Sequence, residues 1–145
     1  MLTDYDLYIE SLCKRAKACP AFRWVGGMLV ITPVKSDIRV TYRINVEPAL
    51  IDGAHYPNVT DPATRGGLLH LIREVCGDPS VGIYTIDVFN QRQWICEGSA
   101  GVLSRAATEA EALVFALEAA YSNMPSERSE PQNKVWDGPE QPREV

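Results

Sequence analysis

Two arginines four residues apart, Arg39 and Arg43, with Thr41 between them, are the side chains best suited by type and spacing to hold a charged ligand. On an extended strand they share one side and stand about 13 Å apart. Two guanidinium forks at that separation could grip phosphates or carboxylates of a nucleotide, or the acidic surface of a partner, with the threonine hydroxyl bonding between them. The plainer account is that solvent faces of antiparallel strands commonly carry Arg and Thr. Trp24 and Trp94 offer stacking surfaces beside such a row, although large aromatics in a chain of this size usually serve the core.

His55 and His70 are the acid–base candidates. His55 sits in a polar stretch with Asp52 and Asp61 near it in sequence, the makings of a small hydrolase, but no third group stands at a diagnostic spacing. A solvated loop histidine is the simpler reading. His70 falls on the side of a helix opposite Leu68, Ile72 and Val75 and is expected in solvent. Ser99 lies in Gly98-Ser99-Ala100-Gly101, which is not the G-x-S-x-G of a nucleophile elbow. Cys13, Cys19, Cys76 and Cys96 show no C-x-x-C spacing and read as reduced thiols of the core. No phosphate-binding loop, dinucleotide fingerprint or metal motif is present. The expectation is a protein that binds rather than reacts, with no catalytic residue, metal or cofactor. Its candidate contacts are Arg39, Thr41, Arg43, Trp24 and His55.

The elements that must position these residues are written as caps and periods. Asp61-Pro62 opens a helix and Gly77 with Pro79 closes it, with Leu68, Leu69, Ile72, Val75 and Cys76 as its apolar side. Gly66 and Gly67 inside it each cost about 1 kcal/mol relative to Ala and point to a close approach of another backbone or a ligand. Residues 3 to 18 form a first helix capped by Thr3, with Tyr5, Ile9, Leu12, Ala16 and Cys19 on one face. A last helix follows the capping box Thr108-Glu109-Ala110-Glu111 and carries the stripe Ala110, Leu113, Val114, Leu117 and Tyr121.

Between the helices the period changes. Residues 28 to 32 lead through Pro33 into an unbroken alternation from Ile38 to Glu47, read as a hairpin, and a long polar loop runs from 48 to 60. Residues 81 to 89 and 93 to 97 pair across a turn at 90 to 92, and a short extended piece follows at 102 to 104. The order helix, two strands, helix, two or three strands, helix gives an α+β fold. The simplest packing is one mainly antiparallel sheet of four to five strands with helices on one face. One domain is expected over residues 1–121, followed by a polar tail from Ser122 to Val145 with Pro125, Pro131, Pro139 and Pro142, in composition a disordered segment.

Fourteen Lys and Arg face nineteen Asp and Glu, a net charge of −5 at pH 7, so general binding to nucleic-acid phosphate or anionic membranes is not expected. Lys14, Arg15 and Lys17 read as the solvated basic end of the first helix. The acidic start at Asp4 and Asp6 is unlike a signal peptide, and a cytoplasmic setting is expected.

Three segments carry a resemblance. They are Phe22-Arg23-Trp24 with Gly27-Met28, then Asp61-Pro62-Ala63-Thr64-Arg65-Gly66-Gly67-Leu68-Leu69 through Gly77-Asp78-Pro79, then Thr108-Glu109-Ala110-Glu111-Ala112-Leu113 through Ala119-Ala120. Over roughly residues 20 to 121 the chain resembles a group of small, mostly uncharacterised proteins encoded by tailed bacteriophages and prophages. The resemblance attaches no catalytic residue to these segments. It implies a source, a phage accessory protein acting inside a bacterium. The leading expectation is a protein that binds and inhibits a host protein, such as a component of anti-phage defence. The alternative is a binder that sequesters a nucleotide signal through Arg39, Arg43 and Trp24; a small hydrolase using His55 with Asp52 or Asp61 comes third. A homo-oligomer is compatible with any of the three.

Overall fold

Each helix begins on a side chain that catches its free amides. Thr3 caps α1 (Asp4–Ala18): its hydroxyl oxygen accepts from the Asp6 N–H, and the Asp6 carboxylate takes back the Thr3 N–H, a full capping box. Asp61 caps α2 (Pro62–Cys76) by accepting from the Thr64 N–H at 3.0 Å, and Gly77 closes it in the left-handed region at φ +61°. Thr108 caps α3 (Glu109–Ser122) by accepting from the Glu111 N–H. Glu111 does not return the bond in the expected manner. Its carboxylate accepts instead from the hydroxyls of Thr108, at 2.9 Å, and Tyr8.

The computed structural model describes residues 3–31, 41–43 as backbone, and 55–123. Arg39, Asp52, the side chains of Thr41 and Arg43, the remainder of the 38–47 strand, most of the 48–60 loop and the tail beyond 123 lie outside the described residues.

The strands are β1 (Leu29–Ile31), β2 (Thr41–Arg43), β3 (Tyr56–Pro57), β4 (Gly82–Val88), β5 (Gln91–Gly98) and β6 (Gly101–Ala106). The α+β class stands, and the expected hairpin is present where it is described: β1 and β2 run antiparallel with Leu29 opposite Arg43 and Ile31 opposite Thr41. The strands divide between two antiparallel sheets, ordered β2-β1-β3 and β4-β5-β6, where one sheet was expected. The reason is where the helices go. α1 packs on β3 and on α3, while α3 lies on β5, β6 and α2, so the helices bridge the two sheets instead of lining one face of a single sheet. Leu103 is the extra residue of a bulge opposite the Cys96–Glu97 step of β5.

One apolar cluster runs through all of this, with Leu12, Met28, Val30, Leu68, Ile72, Leu113 and Leu117 among its fully enclosed members. The buried side of α1 and its cap is Leu12, Cys13, Ala16 and Cys19, while Tyr5, expected on that side, is 65% exposed. On α2 the buried positions are Thr64, Gly67, Leu68, Leu71 and Ile72; Cys76, expected among them, is exposed. Thr64 sets this rotation. Its buried hydroxyl accepts from the Leu29 N–H at 2.8 Å and donates to Asp61 at 3.1 Å, which turns the first-turn face of α2 onto β1.

The paired glycines differ. A Cβ on Gly67 would stand 2.7 Å from Met28 Cε and 3.4 Å from Val25 Cβ, so the close approach is a side chain, whereas a Cβ on Gly66 meets nothing. Gly66→Ala is therefore expected to stabilise by up to about 1 kcal/mol through helix propensity, and Gly67→Val to destabilise by about 1–3 kcal/mol through overpacking. Equilibrium denaturation of the two variants checks this opposition of sign.

Candidate binding surface

The residues singled out from the sequence do not converge on one described site. Trp24 is half-buried against the core, its ring edge-on to Phe22 with centroids 5.2 Å apart and planes at 81°, the geometry of a packed aromatic pair. Lys17 donates to the His55 carbonyl at 2.9 Å, tying the start of β3 to α1. The Asp61 carboxylate is spent on the cap of α2. His70 is exposed, as expected, with Nε2 3.1 Å from a Glu74 carboxylate that Arg23 also reaches. That arginine, more than the histidine, holds the Glu74 carboxyl below its usual range.

Ser99 is also accounted for. Its N–H and hydroxyl both donate to Asp78 Oδ2 at 2.8 Å, while the Ser80 N–H and hydroxyl donate to Oδ1 at 2.9 and 2.6 Å. The hydroxyls and amides of these two serines hold the Asp78 carboxyl well below the ordinary carboxylate range. The clamp closes one wall of a cleft of about 210 Å³ between the end of α2 and the β5–β6 turn. A Cβ on Gly98 would stand 2.8 Å from Asp78 Oδ2, which is why that wall needs a glycine. The Ser99 hydroxyl donates to a carboxylate that is holding two loops together. The thiols are no better activated. Burial pushes Cys96 up to about 11 and raises Cys19, partial desolvation raises Cys76, and all four cysteines are reduced thiols. Among the described residues no group of three or more His, Cys, Asp or Glu side chains could hold a metal ion, and no helix is long and apolar enough to cross a membrane.

The first two turns of α1 are different in kind. Arg15 fixes the helix to α3 through a two-pronged pair with Glu118, at 3.0 and 2.6 Å, and lies 4.6 Å from the centre of the Phe115 ring. Tyr8 adds its hydroxyl bond to Glu111. Those contacts tie the helix to α3 while leaving Tyr5 65%, Leu7 53% and Tyr8 44% exposed, three large side chains within its first two turns. Two hollows flank them. Leu7, Lys14 and Arg15 line a broad one of about 520 Å³; Tyr5, Tyr8 and the Arg65–Glu109 ion pair, at 3.0 Å, line another of about 250 Å³. Hydrogen bonding to Glu111 and partial burial push the Tyr8 phenol up to about 12. It stays a neutral donor at any physiological pH. The helical period places Tyr5 with the core and so hides this surface; its signal in the sequence is Leu7, an apolar residue off the 5-9-12-16-19 stripe.

No protein-family model, curated protein or solved structure matches the chain.

A lowered carboxyl in the folded state makes stability depend on pH with a definite sign. The unfolded chain takes up the proton first, so the contribution of Asp78 is complete above the ordinary aspartate value of about 4 and is lost as pH falls below it. Asp78→Asn is expected to lower Tm at neutral pH, with the gap from the parent protein narrowing between about pH 5 and pH 3. A gap of constant size across that range, measured by thermal unfolding, would contradict the assignment.

Proposed function

We propose that this is a non-catalytic binding protein that engages another protein through the first two turns of α1. The observation that carries the reading is the group Tyr5, Leu7 and Tyr8, exposed on a helix whose own contacts to α3 already hold it in place. Tyrosine is enriched at interface centres, and large apolar side chains clustered beside hollows mark contact surfaces more often than neutral exterior. A pre-formed helix also loses little conformational freedom on binding. The resemblance to phage accessory proteins supports a partner from the bacterial host, a defence component being the chosen class. The net charge of −5 favours a partner with a basic face, such as one that otherwise holds nucleic acid.

The test is capture from bacterial lysate by the tagged protein, followed by mass spectrometry, with Leu7→Glu and the double variant Arg39→Ala/Arg43→Ala run beside it. A partner retained by the arginine variant and reduced about tenfold or more by Leu7→Glu is the expected result. Capture indifferent to Leu7→Glu would contradict the reading. So would a rise in Tm with a linear or cyclic nucleotide that the double arginine variant abolishes, an outcome that favours the nucleotide-binding alternative.

A further inference from the structure

β4 is an edge strand, and the turn beside it decides which of its backbone groups are left over. Phe89 and Asn90 both sit in the left-handed region, at φ 51° and 66°, the form of a two-residue hairpin turn whose flanking pair exchanges both backbone hydrogen bonds. That pair is Val88 and Gln91. Alternation along the ladder makes Ile86–Gln93 and Tyr84–Ile95 the next bonded pairs, and turns the N–H and C=O groups of Ile83, Thr85 and Asp87 away from β5. Among the described residues no strand pairs with that side of β4, and Thr85 and Asp87 are exposed.

The two edges of this sheet are treated differently. β6 carries the bulge at Leu103 and an exposed arginine, Arg105, both of which discourage pairing. β4 is seven residues long with no proline, lysine or bulge; its one charge, Asp87, lies near the turn. The face opposite α3 presents Tyr84, 44% exposed, then Ile86 and Val88 half-buried, and Phe89 at the tip is 95% exposed.

We propose that a second copy of this chain pairs with β4, antiparallel, about a two-fold axis through Thr85. The outward residues 83, 85 and 87 are symmetric about that point. Thr85 meets Thr85 of the second copy, and Ile83 meets Asp87 of the second copy, so each outward donor and acceptor is answered by the same set. On the outer face Tyr84 then stands opposite Ile86 of the second copy, joining two half-apolar surfaces into one. The same strand supplies both sides of this ladder and both members of each Tyr–Ile pair. The result is a six-stranded sheet across two molecules that leaves the first two turns of α1 free.

Sedimentation over a range of concentrations tests this on the full chain. The mass is expected to rise from 16.1 kDa toward twice that value. Thr85→Pro removes an N–H that faces away from β5, so it is expected to keep the native circular dichroism and hold the protein at the monomer mass. A parent protein that stays monomeric at all concentrations overturns the proposal, as does a dimer that survives in natively folded Thr85→Pro. Should that variant fail to fold, amide exchange of the parent protein decides. Exchange at Thr85 slowed as protein concentration rises supports the pairing; exchange independent of concentration, whether fast or slow, overturns it, slow exchange then meaning that another part of the same chain covers the edge.

Discussion

The structure depends on one helix being buried on nearly every side. α3 encloses Ala110, Ala112, Leu113, Val114, Ala116, Leu117 and Ala120, and touches α1, α2, β5 and β6. Its alanines let several neighbours approach at once, while Leu113, Val114 and Leu117 supply the bulk that fills the spaces between them. A helix with an apolar face this wide, Glu111 and Glu118 on its remaining side and Glu109 at its amino end, has to lie under several neighbours at once. Ser104, donating to the Ala112 carbonyl at 2.6 Å, satisfies a buried hydroxyl and pins β6 to the helix.

The other helices take their positions from this one. α1 is joined to it by Tyr8, Arg15 and packing of Leu12 and Ala16; α2 lies alongside and reaches β1 through Thr64. Everything that bonds α1 inward leaves its first two turns largely in solvent, and everything that α3 does for β5 and β6 leaves β4 at the rim. Both candidate contact surfaces are therefore consequences of where the core ends. The clamp at Asp78 belongs to the same logic: a carboxylate with four donors is a joint between loops, and its chemistry is used up in holding them.

Much of the fold was legible because it rests on local signals. Thr3, Asp61 with Pro62, Gly77 and Thr108 mark the helix ends at positions the structure keeps. The β-branched and aromatic residues of 81–89, with 93–97 after a turn, likewise anticipate β4 and β5; the turn moves to Phe89–Asn90, where Asn90 suits left-handed backbone and Phe89 does not. What failed was long-range. The choice between one sheet and two depends on which helix passes between strands, and the rotation of α2 depends on a hydrogen bond that the Leu29 N–H donates to the Thr64 hydroxyl, 35 residues away. The surface of α1 was hidden for a related reason: Tyr5 obeys the helical period but lies beyond the end of the surface that α3 covers. Of the residues picked for chemistry, His70 was rightly sent to solvent, and Trp24 packs as its size favours; the row of Arg39, Thr41 and Arg43 lies where side chains are not described.

Native-state hydrogen exchange tests the central position of α3 most directly. Amides of Leu113, Val114, Ala116 and Leu117 are expected to exchange only through global unfolding, converging with denaturant on the full free energy of the protein, while α1 and the β4–β5 hairpin open earlier. Exchange of those α3 amides at the rate of the α1 amides, with α2 still protected, would show that the frame is organised around something else.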